Sequence, residues 1–450
     1  MALFLPFSGH ALTSQTTRNA IQGSAPYLTF DGGRTRAVDA NGLLGITLSN
    51  GIKYTPSTNT SSSSAPIALP AAGQSFADIR MFVPTDTNSV DLSTLIGPPN
   101  NYWGDDDGDS GVSATGRLSL SIVDKNNQAV SRSTVPEICK APYRVTLSST
   151  GGTLSTRYGV PNSRSFNESS VTYFLNPKAT PVVCFARPSL SLGSYPYSGL
   201  SRIWDQNNGF LPQSTDPSRY ASNFPTTGAN GLYFDLLIGG GNQALSWSPV
   251  SQGEITVTMS NSTSTSVRVT LTGPFATESQ HDSANPGRIS IPTLPQTFEL
   301  VGQDSQGNPV VKYGFTIKRW FVNRGYGDRS YDSMRSWCRS LGYGMPMVRD
   351  LTNASCPNSV SETLCHNSVG ARPRSRDNYY QRYIGAGFFT EWGDMTRYYA
   401  GFNKSYFWTS DEYGSGGRFP YFFVVRITDG RVARMTTDSY YSHASGLCIR

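Results

Sequence analysis

An aspartate cluster early in the chain has the residue types and spacing that could bind a hard cation. Calcium prefers several carboxylate oxygens at close spacing, and Asp105, Asp107 and Asp109 alternate as the ligands of calcium loops do. In the EF-hand register, however, Ser110 stands where glycine is required and Gly116 where the last carboxylate is required. We therefore interpret the cluster as a solvated acidic turn and expect no metal; a loose calcium site on the three aspartates is the alternative.

A later segment mixes arginines with tyrosines and could bind an anion. Guanidinium groups bind carboxylates, sulfates and phosphates through two hydrogen bonds at once, and tyrosines provide contact area at a low entropic cost. We predict a binding loop here; an exposed loop that only aids solubility is the alternative. The candidate binding residues are Arg372, Arg374, Arg376, Tyr379 and Tyr380.

More aromatic residues follow towards the C-terminus, and some of them must belong to a core. Trp337 and Trp408 are predicted to be core residues. Aromatic and arginine side chains beside polar, turn-rich sequence are better placed to face a partner, because interface anchors are enriched in Tyr, Trp and Arg. The additional candidate binding residues are Arg397, Tyr398, Tyr399 and Tyr440.

The sequence contains little that is typical of a catalytic site. The chain has 4 histidines, and the Gly-x-Ser-x-Gly motif that presents the nucleophile of α/β-hydrolases is missing from the sequence. The glycine run at Ile238–Asn242 lacks the Lys and Ser/Thr that complete a phosphate-binding loop. We predict that the chain is not an enzyme and uses no cofactor.

The 6 cysteines indicate disulfides formed in an oxidising compartment. The sequence has no Cys-x-x-Cys pair, which argues against a zinc site. Six cysteines allow 15 complete pairing schemes, and their positions favour one of these. The expected pairs are Cys338–Cys448, Cys356–Cys365 and Cys139–Cys184. Export and disulfides also argue against nucleic acid as a partner.

The net charge of +6 is concentrated in the last third of the chain. Residues 312–450 contain 19 Lys and Arg against 11 Asp and Glu, which leaves 18 against 20 in the first 311 residues. A basic surface of this kind either serves solubility or attracts an acidic partner, such as an anionic glycan or an acidic protein face.

Short runs that alternate apolar and polar residues dominate the sequence, so the fold class is predicted to be mainly β. We expect a β-sandwich-like N-terminal portion of one or two units over residues 12–311 and an α+β domain over residues 312–450. Residues 1–11 are interpreted as a possible remnant of a signal peptide, with an N-terminal strand as the alternative. The Ser/Thr/Asn tract at residues 57–64 is predicted to be a flexible loop or linker.

The C-terminal domain is expected to contain a strand near residues 310–317 and a helix that begins at Ser330, which can cap it. Gly342 is a natural helix end, and the pair Asp429-Gly430 predicts a hairpin turn. Residues at positions i, i+3, i+4 and i+7 give the helix one apolar stripe. The stripe consists of Met334, Trp337, Cys338 and Leu341.

Four features of this domain resemble the C-type-lectin-like domain of the bacterial intimin/invasin adhesins. They are the helix with Trp337-Cys338, the segment Gly342–Pro346, the stretch Phe407–Ser410 and the terminal Cys448. The N-terminal part is similar, more faintly, to the adhesion region of enterobacterial invasin-like proteins. The resemblance implies a disulfide between the helix and the last strand, which corresponds to Cys338 and Cys448 here.

The resemblance also implies a function. It suggests a virulence-associated adhesin, secreted or held at the outer membrane, that binds a host-cell protein or glycan through the lectin-like domain. The Glu-Pro-Asn, Gln-Pro-Asp and Trp-Asn-Asp motifs of calcium-dependent lectins do not occur in the sequence, so sugar binding of that type is not expected. The alternatives are a secreted carbohydrate-active enzyme with an accessory lectin-like domain, and a structural surface or fibre component.

Overall fold

The computed structural model describes residues 23–356, 364–398, 400–402, 405–416, 418–438 and 443–450. The chain forms two compact units, Met1–Lys178 and Ala179–Arg450, which we call the N-terminal and C-terminal units. Both are built mainly from β-strands, which confirms the predicted fold class. The possible signal-peptide remnant at residues 1–11 lies outside the described residues. In the described ranges, no helix has the length and apolar character needed to cross a membrane.

The N-terminal unit consists of short strands with brief helical turns between them. Its strands are β1 (Tyr27–Leu28), β2 (Ile46–Thr47), β3 (Lys53–Tyr54), β4 (Ile67–Ala68), β5 (Ser89–Asp91), β6 (Trp103–Gly104), β7 (Ser113–Ala114), β8 (Arg117–Val123), β9 (Tyr143–Ser149), β10 (Gly152–Ser155), β11 (Ser163–Phe166) and β12 (Ser169–Asn176). Its helical elements are α1 (Ser93–Ile96) and 3₁₀ turns at Asn41–Leu43, Phe76–Asp78 and Ile138–Lys140.

The main sheet of this unit has the strand order β4-β12-β9-β8-β5. Successive side chains of a strand point to opposite faces, so the apolar residues of β8 and β9 all reach one core. Leu118 and Val145 are fully buried there beside Tyr173. The Tyr173 hydroxyl donates a hydrogen bond to the Leu44 carbonyl at 2.8 Å, so this buried polar group is satisfied.

The Ser/Thr/Asn tract at residues 57–64 does not connect the two compact units. Asn59 Nδ2 donates to the Thr172 carbonyl at 2.8 Å, and Phe174 N donates to Ser61 Oγ at 3.0 Å. The tract therefore runs along the edge of β12 and is part of the N-terminal unit. Its hydroxyl and amide groups replace the ladder partners that the strand lacks at this position.

The C-terminal unit contains longer strands and the longer helix. Its strands are β13 (Val182–Arg187), β14 (Trp204–Asp205), β15 (Gly209–Phe210), β16 (Thr227–Ala229), β17 (Tyr233–Gly239), β18 (Ser246–Trp247), β19 (Val250–Gln252), β20 (Ile255–Ser260), β21 (Ser266–Thr272), β22 (Gln296–Gln303), β23 (Pro309–Ile317), β24 (Arg319–Asn323), β25 (Tyr406–Gly416), β26 (Phe419–Arg426), β27 (Val432–Thr436) and β28 (Leu447–Ile449). Its helices are α2 (Glu278–Asp282), α3 (Tyr331–Leu341), α4 (Val348–Leu351) and α5 (Phe388–Trp392), with 3₁₀ segments at Pro217–Ser222 and Met395–Arg397.

Four sheets organise this unit. Their strand orders are β14-β15-β13-β17-β21-β20-β19, β18-β22-β23, β16-β24-β28 and β25-β26-β27. The first two sheets meet through aromatic side chains, with the rings of Phe234 and Phe315 5.9 Å apart. The β26–β27 hairpin turns at Asp429-Gly430, as the sequence predicts.

The predicted domain boundary at residue 312 falls inside β23, so the chain does not divide there. β23 pairs antiparallel with β22, and Tyr313, Phe315 and Ile317 share one core with Leu236 from the preceding segment. Residues on both sides of the boundary thus bury the same apolar surface. The compact units separate at 178/179 instead.

Helix α3 has the predicted apolar stripe. Its residues Met334, Trp337, Cys338 and Leu341 are fully buried, and Trp408 is buried as well, which confirms both tryptophans as core residues. Gly342 ends the helix at φ 90°, in the left-handed region that favours glycine. Ser330 occupies the N-cap position, but its side chain makes no capping hydrogen bond.

The structure contains the predicted bonds Cys338–Cys448 and Cys356–Cys365. None of the cysteines is free, and Cys139 and Cys184 are also disulfide-bonded. The first bond ties α3 to β28, which itself pairs with β24 through residues such as Val322 opposite Cys448. The end of the chain is therefore held by a covalent bond as well as by a strand ladder.

Removal of the Cys338–Cys448 bond is expected to destabilise the protein more than removal of Cys356–Cys365. The two bonds close loops with sequence separations of 110 and 9 residues. Loop-closure entropy makes them worth about 4–5 and about 2–3 kcal/mol. Urea unfolding of Cys338→Ala/Cys448→Ala and of the matched pair Cys356→Ala/Cys365→Ala measures the difference. Equal losses would contradict the clamping role of the longer loop.

Candidate partner-binding surface

Residues 371–383, called the arginine loop, form neither helix nor strand and are held by buried side chains. Asn353, which is 1% exposed, is the first of these. Its Nδ2 donates to the carbonyls of Pro373 and Gln381 at 3.0 Å each, and its Oδ1 accepts from Gln381 N at 3.0 Å. A single amide thus joins two distant points of the loop, much as a strand ladder would.

The middle of the loop is held against the β26–β27 hairpin. Asn378 Nδ2 donates to the Val432 carbonyl at 2.9 Å, and Val432 N donates back to Asn378 Oδ1 at 2.8 Å. Tyr380 N donates to the Asp429 carbonyl at 2.8 Å, and the Tyr380 hydroxyl donates to the Thr428 carbonyl at 3.0 Å. These bonds satisfy the main chain of the loop without regular secondary structure.

Arg382 anchors the C-terminal end of the loop from inside the unit. Its fully buried guanidinium donates to the Glu391 carbonyl at 2.9 Å and to the Ser189 carbonyl. It also lies over the Trp204 ring at 4.5 Å, and Arg382 N donates to the Tyr197 carbonyl at 2.9 Å. Burial lowers the pKa of Arg382 because the charged form loses its hydration.

The buried carboxylate of Glu391 joins the next part of the chain to β16. It accepts hydrogen bonds from the backbone N–H and hydroxyl of both Thr226 and Thr227, and from Gly385 N at 2.8 Å. Desolvation raises the pKa of Glu391 and outweighs the effect of these donors. The segment that follows the arginine loop is therefore as firmly held as the loop itself.

Three arginines of this loop point to solvent. Arg372, Arg374 and Arg376 are exposed, and within the described ranges none of them forms an ion pair with a carboxylate. Other arginines of the same unit are neutralised locally, for example Arg426 by Asp429. The loop thus displays positive charge that is left available to an external anion.

A pocket of about 200 Å³ opens beside these arginines. Its lining includes Arg374, Arg376, Gln381 and Tyr383, together with Ser198, Gly199 and Leu200. Half-buried Tyr379 packs against Tyr197 nearby, with ring centroids 5.3 Å apart. The described lining contains amide, hydroxyl and guanidinium groups and no carboxylate, which suits an anionic ligand.

Two predicted binding residues are in the core and cannot contact a partner. Tyr380 is fully buried and Tyr398 is 4% exposed. The Tyr398 hydroxyl donates to the Trp392 carbonyl at 3.0 Å and accepts from Ser189 N at 2.8 Å. Polar neighbours in the sequence suggested that these tyrosines are exposed. A tyrosine in a polar segment can nevertheless be buried when its hydroxyl group forms hydrogen bonds.

Arg397, another predicted binding residue, does not join the arginine loop. Arg397 pairs with Asp394 at 3.5 Å and lines a different pocket, of about 440 Å³, with Arg187 and Asp235. Its charge is already compensated. Tyr399 and Tyr440 lie outside the described residues.

The aspartate cluster belongs to the N-terminal unit. Oxygens of Asp105, Asp107 and Asp109 lie within 4.8 Å of one another. Asp105 Oδ1 accepts from Asp107 N at 2.9 Å and from Asp109 N at 3.2 Å, and the adjacent Asp106 pairs with Arg36. These bonds describe a compact acidic turn, and the expectation that it binds no metal stays a prediction.

Sequence reasoning missed Asn353, Asn378, Arg382 and Glu391, which hold the surface together. Asparagines are common in exposed turns, so neither of the two stands out. Glu391 gives a recognisable signal, since it lies between Phe389 and Trp392 in a segment otherwise suited to a core. A charged residue in such a segment is a candidate for a buried, hydrogen-bonded group.

Comparisons with known proteins give distant structural matches. No family model and no curated protein matches the sequence. Among solved structures, the bacterial integrin-binding protein invasin is 14% identical, and the match covers 77% of this chain and 52% of that chain, with a TM-score of 0.36. The C-terminal 282-residue fragment of intimin, solved with the intimin-binding domain of its translocated receptor, is 12% identical, with 75% and 94% coverage and a TM-score of 0.32. A glucan-utilisation protein, SGBP-B of Bacteroides ovatus, is 11% identical, with 49% and 66% coverage and a TM-score of 0.15. This chain thus spans about half the length of the invasin structure.

Asn353→Ala is expected to loosen the arginine loop, because the variant leaves the Pro373 and Gln381 groups without their partner. We expect a loss of about 2–3 kcal/mol in the free energy of unfolding and faster tryptic cleavage after Arg374 and Arg376. Timed trypsin digestion read by mass spectrometry measures the cleavage. The exposed Asn207→Ala is the matched control and should cleave like wild type; a variant loop as resistant as the wild type would contradict the role of Asn353.

Glu391→Gln is expected to remove part of the pH dependence of stability. The folded chain binds a proton at Glu391 more tightly than the unfolded chain. The free energy of unfolding of the wild type therefore falls as pH rises from about 4.5 towards the raised pKa, and this contribution is constant at higher pH. Urea unfolding from acid to neutral pH should show the wild-type free energy falling relative to the variant over that window. The exposed Glu254→Gln should follow the wild type. A constant difference between wild type and Glu391→Gln would contradict the shift.

Proposed function

We propose that this chain is a bacterial adhesin, secreted or held at the cell surface, whose C-terminal unit binds an acidic partner on a host cell without catalysing a reaction. The observation that carries the proposal is the arginine loop, because it presents three exposed and unpaired arginines on a rigid support. The motif resemblance to intimin/invasin adhesins supports the same reading. Disulfides fit an oxidising, extracellular location.

The way the loop is held favours binding. Ordering a flexible loop and its side chains at an interface opposes association. Asn353, Asn378 and Arg382 order the main chain of this loop before any partner arrives. A partner therefore meets guanidinium groups whose backbone positions are already set.

The charge of the surface also favours encounter with an acidic partner. Unpaired cations attract an anionic surface over distances of about 8–10 Å at physiological salt, and such attraction raises the association rate. Arginine is suited to the contact itself, because its planar fork matches carboxylate and sulfate groups.

Neutralising two arginines of the loop is expected to weaken cell binding. Fluorescently labelled full-length Arg374→Gln/Arg376→Gln should bind cultured epithelial cells about tenfold more weakly than wild type, since an exposed ion pair is worth up to about 1 kcal/mol. Its binding should also depend less on salt. Flow cytometry over a range of protein concentrations and salt measures both effects.

The matched control is Arg335→Gln/Arg339→Gln on the exposed side of α3, which removes the same charge from another surface of the unit. This control should bind like wild type. Equal weakening by both double variants would show that overall charge, not the arginine loop, governs attachment. Wild-type binding by the loop variant would remove the loop from the site.

A further inference from the structure

A second pocket adjoins the one beside the arginine loop, and Tyr383 lines both. The second pocket has a volume of about 310 Å³ and is lined by Arg219, Lys318, Gln213 and Ser222 among others. As in the first pocket, the described lining contains no carboxylate side chain. The two pockets share Tyr383, and each has cations in its lining; we call the pair of pockets the basic strip.

The cations of the second pocket are not neutralised by ion pairs within the described residues. Lys318 Nζ donates to the Ala221 carbonyl at 2.9 Å, which orients the ammonium group without cancelling its charge. Asp216 interacts electrostatically with Arg219 but forms no ion pair with it among the described residues; its carboxylate accepts from the Ser218 N–H and hydroxyl at 2.9 and 2.8 Å. Exposed Arg202 is a further cation in this segment. In the sequence it lies between Leu200, which lines the first pocket, and Ile203, which lines the second.

The lining chemistry favours a charged sugar chain over a protein face. Protein interfaces depend on large aromatic and apolar anchors together with arginine, and they are depleted of lysine. Here guanidinium and ammonium groups line the pockets themselves. The side chains of Gln213, Gln381 and Ser222 donate to backbone carbonyls, and their oxygens can accept from sugar hydroxyls. Half-buried Tyr383 offers an aromatic surface at the junction.

Building on the proposed function, we propose that the basic strip binds a linear polysaccharide that carries sulfate or carboxylate groups on successive sugars. Arg374 and Arg376 bind anionic groups in the first pocket, and Arg219 and Lys318 bind anionic groups further along the same chain. Because one ligand engages both pockets, the second contact forms at a high effective concentration and adds to the affinity of the first.

The test uses the full chain and measures its binding to immobilised dextran sulfate by surface plasmon resonance. Neutral dextran and poly-L-glutamate serve as the comparison ligands. The variants are Arg374→Gln/Arg376→Gln, Arg219→Gln/Lys318→Gln and the control Arg335→Gln/Arg339→Gln. We expect each of the first two to weaken binding about tenfold, the control to change it less than about twofold, and neutral dextran not to bind. Circular dichroism melting curves verify that each variant is folded.

The outcomes separate this inference from the proposed function. Loss of affinity in Arg374→Gln/Arg376→Gln alone would overturn the second pocket and leave the arginine loop as the site. Wild-type affinity in both pocket variants, or equal weakening by the control, would overturn both the basic strip and the arginine loop as binding sites. Tighter binding of poly-L-glutamate than of dextran sulfate, with the same sensitivity to the variants, would overturn the polysaccharide in favour of an acidic peptide.

Discussion

The buried amide of Asn353 is the contact on which the display of the arginine loop depends. It donates hydrogen bonds to Pro373 and Gln381 and accepts one from Gln381, in a segment that has no β-strand pairing of its own. Buried polar groups of this kind stabilise one conformation strongly when all are satisfied and destabilise it when one is lost. Asn378 and Arg382 extend the same principle to the middle and the end of the loop.

The rest of the C-terminal unit provides the rigid base for this contact. Asn353 lies two residues after the end of α4, and α3 and β28 are joined by the Cys338–Cys448 bond. Glu391 links α5 to Thr226 and Thr227 at the start of β16. Charged and polar groups thus sit at the buried junctions between elements, while the loop carries its remaining charge outwards. Under the proposed function, stability and partner recognition are served by different arginines of one short segment.

Local patterns in the sequence predicted the features that local physics determines. The stripe of α3, its end at Gly342 and the turn at Asp429-Gly430 follow from spacing and backbone preference alone. The boundary at residue 312 was wrong because β22 and β23 pair across it, and strand pairing between segments leaves no mark in local composition. The burial of Tyr380 and Tyr398 was missed for a related reason: Thr428 and Ser189, which hydrogen-bond to their hydroxyl groups, are distant in sequence, although Tyr398 also donates to the nearby Trp392.

We infer that the arginine loop is ordered in the free protein, and hydrogen exchange of the full-length chain without a partner measures this order. Amides of Ser375, Tyr380, Gln381 and Arg382 donate to carbonyl or amide oxygens of Asn353, Asp429 and Tyr197. We expect these amides to exchange as slowly as those of β26, although the loop has no regular secondary structure. Exchange at the rate of an unstructured peptide would show that the loop orders only on contact, and would contradict the account.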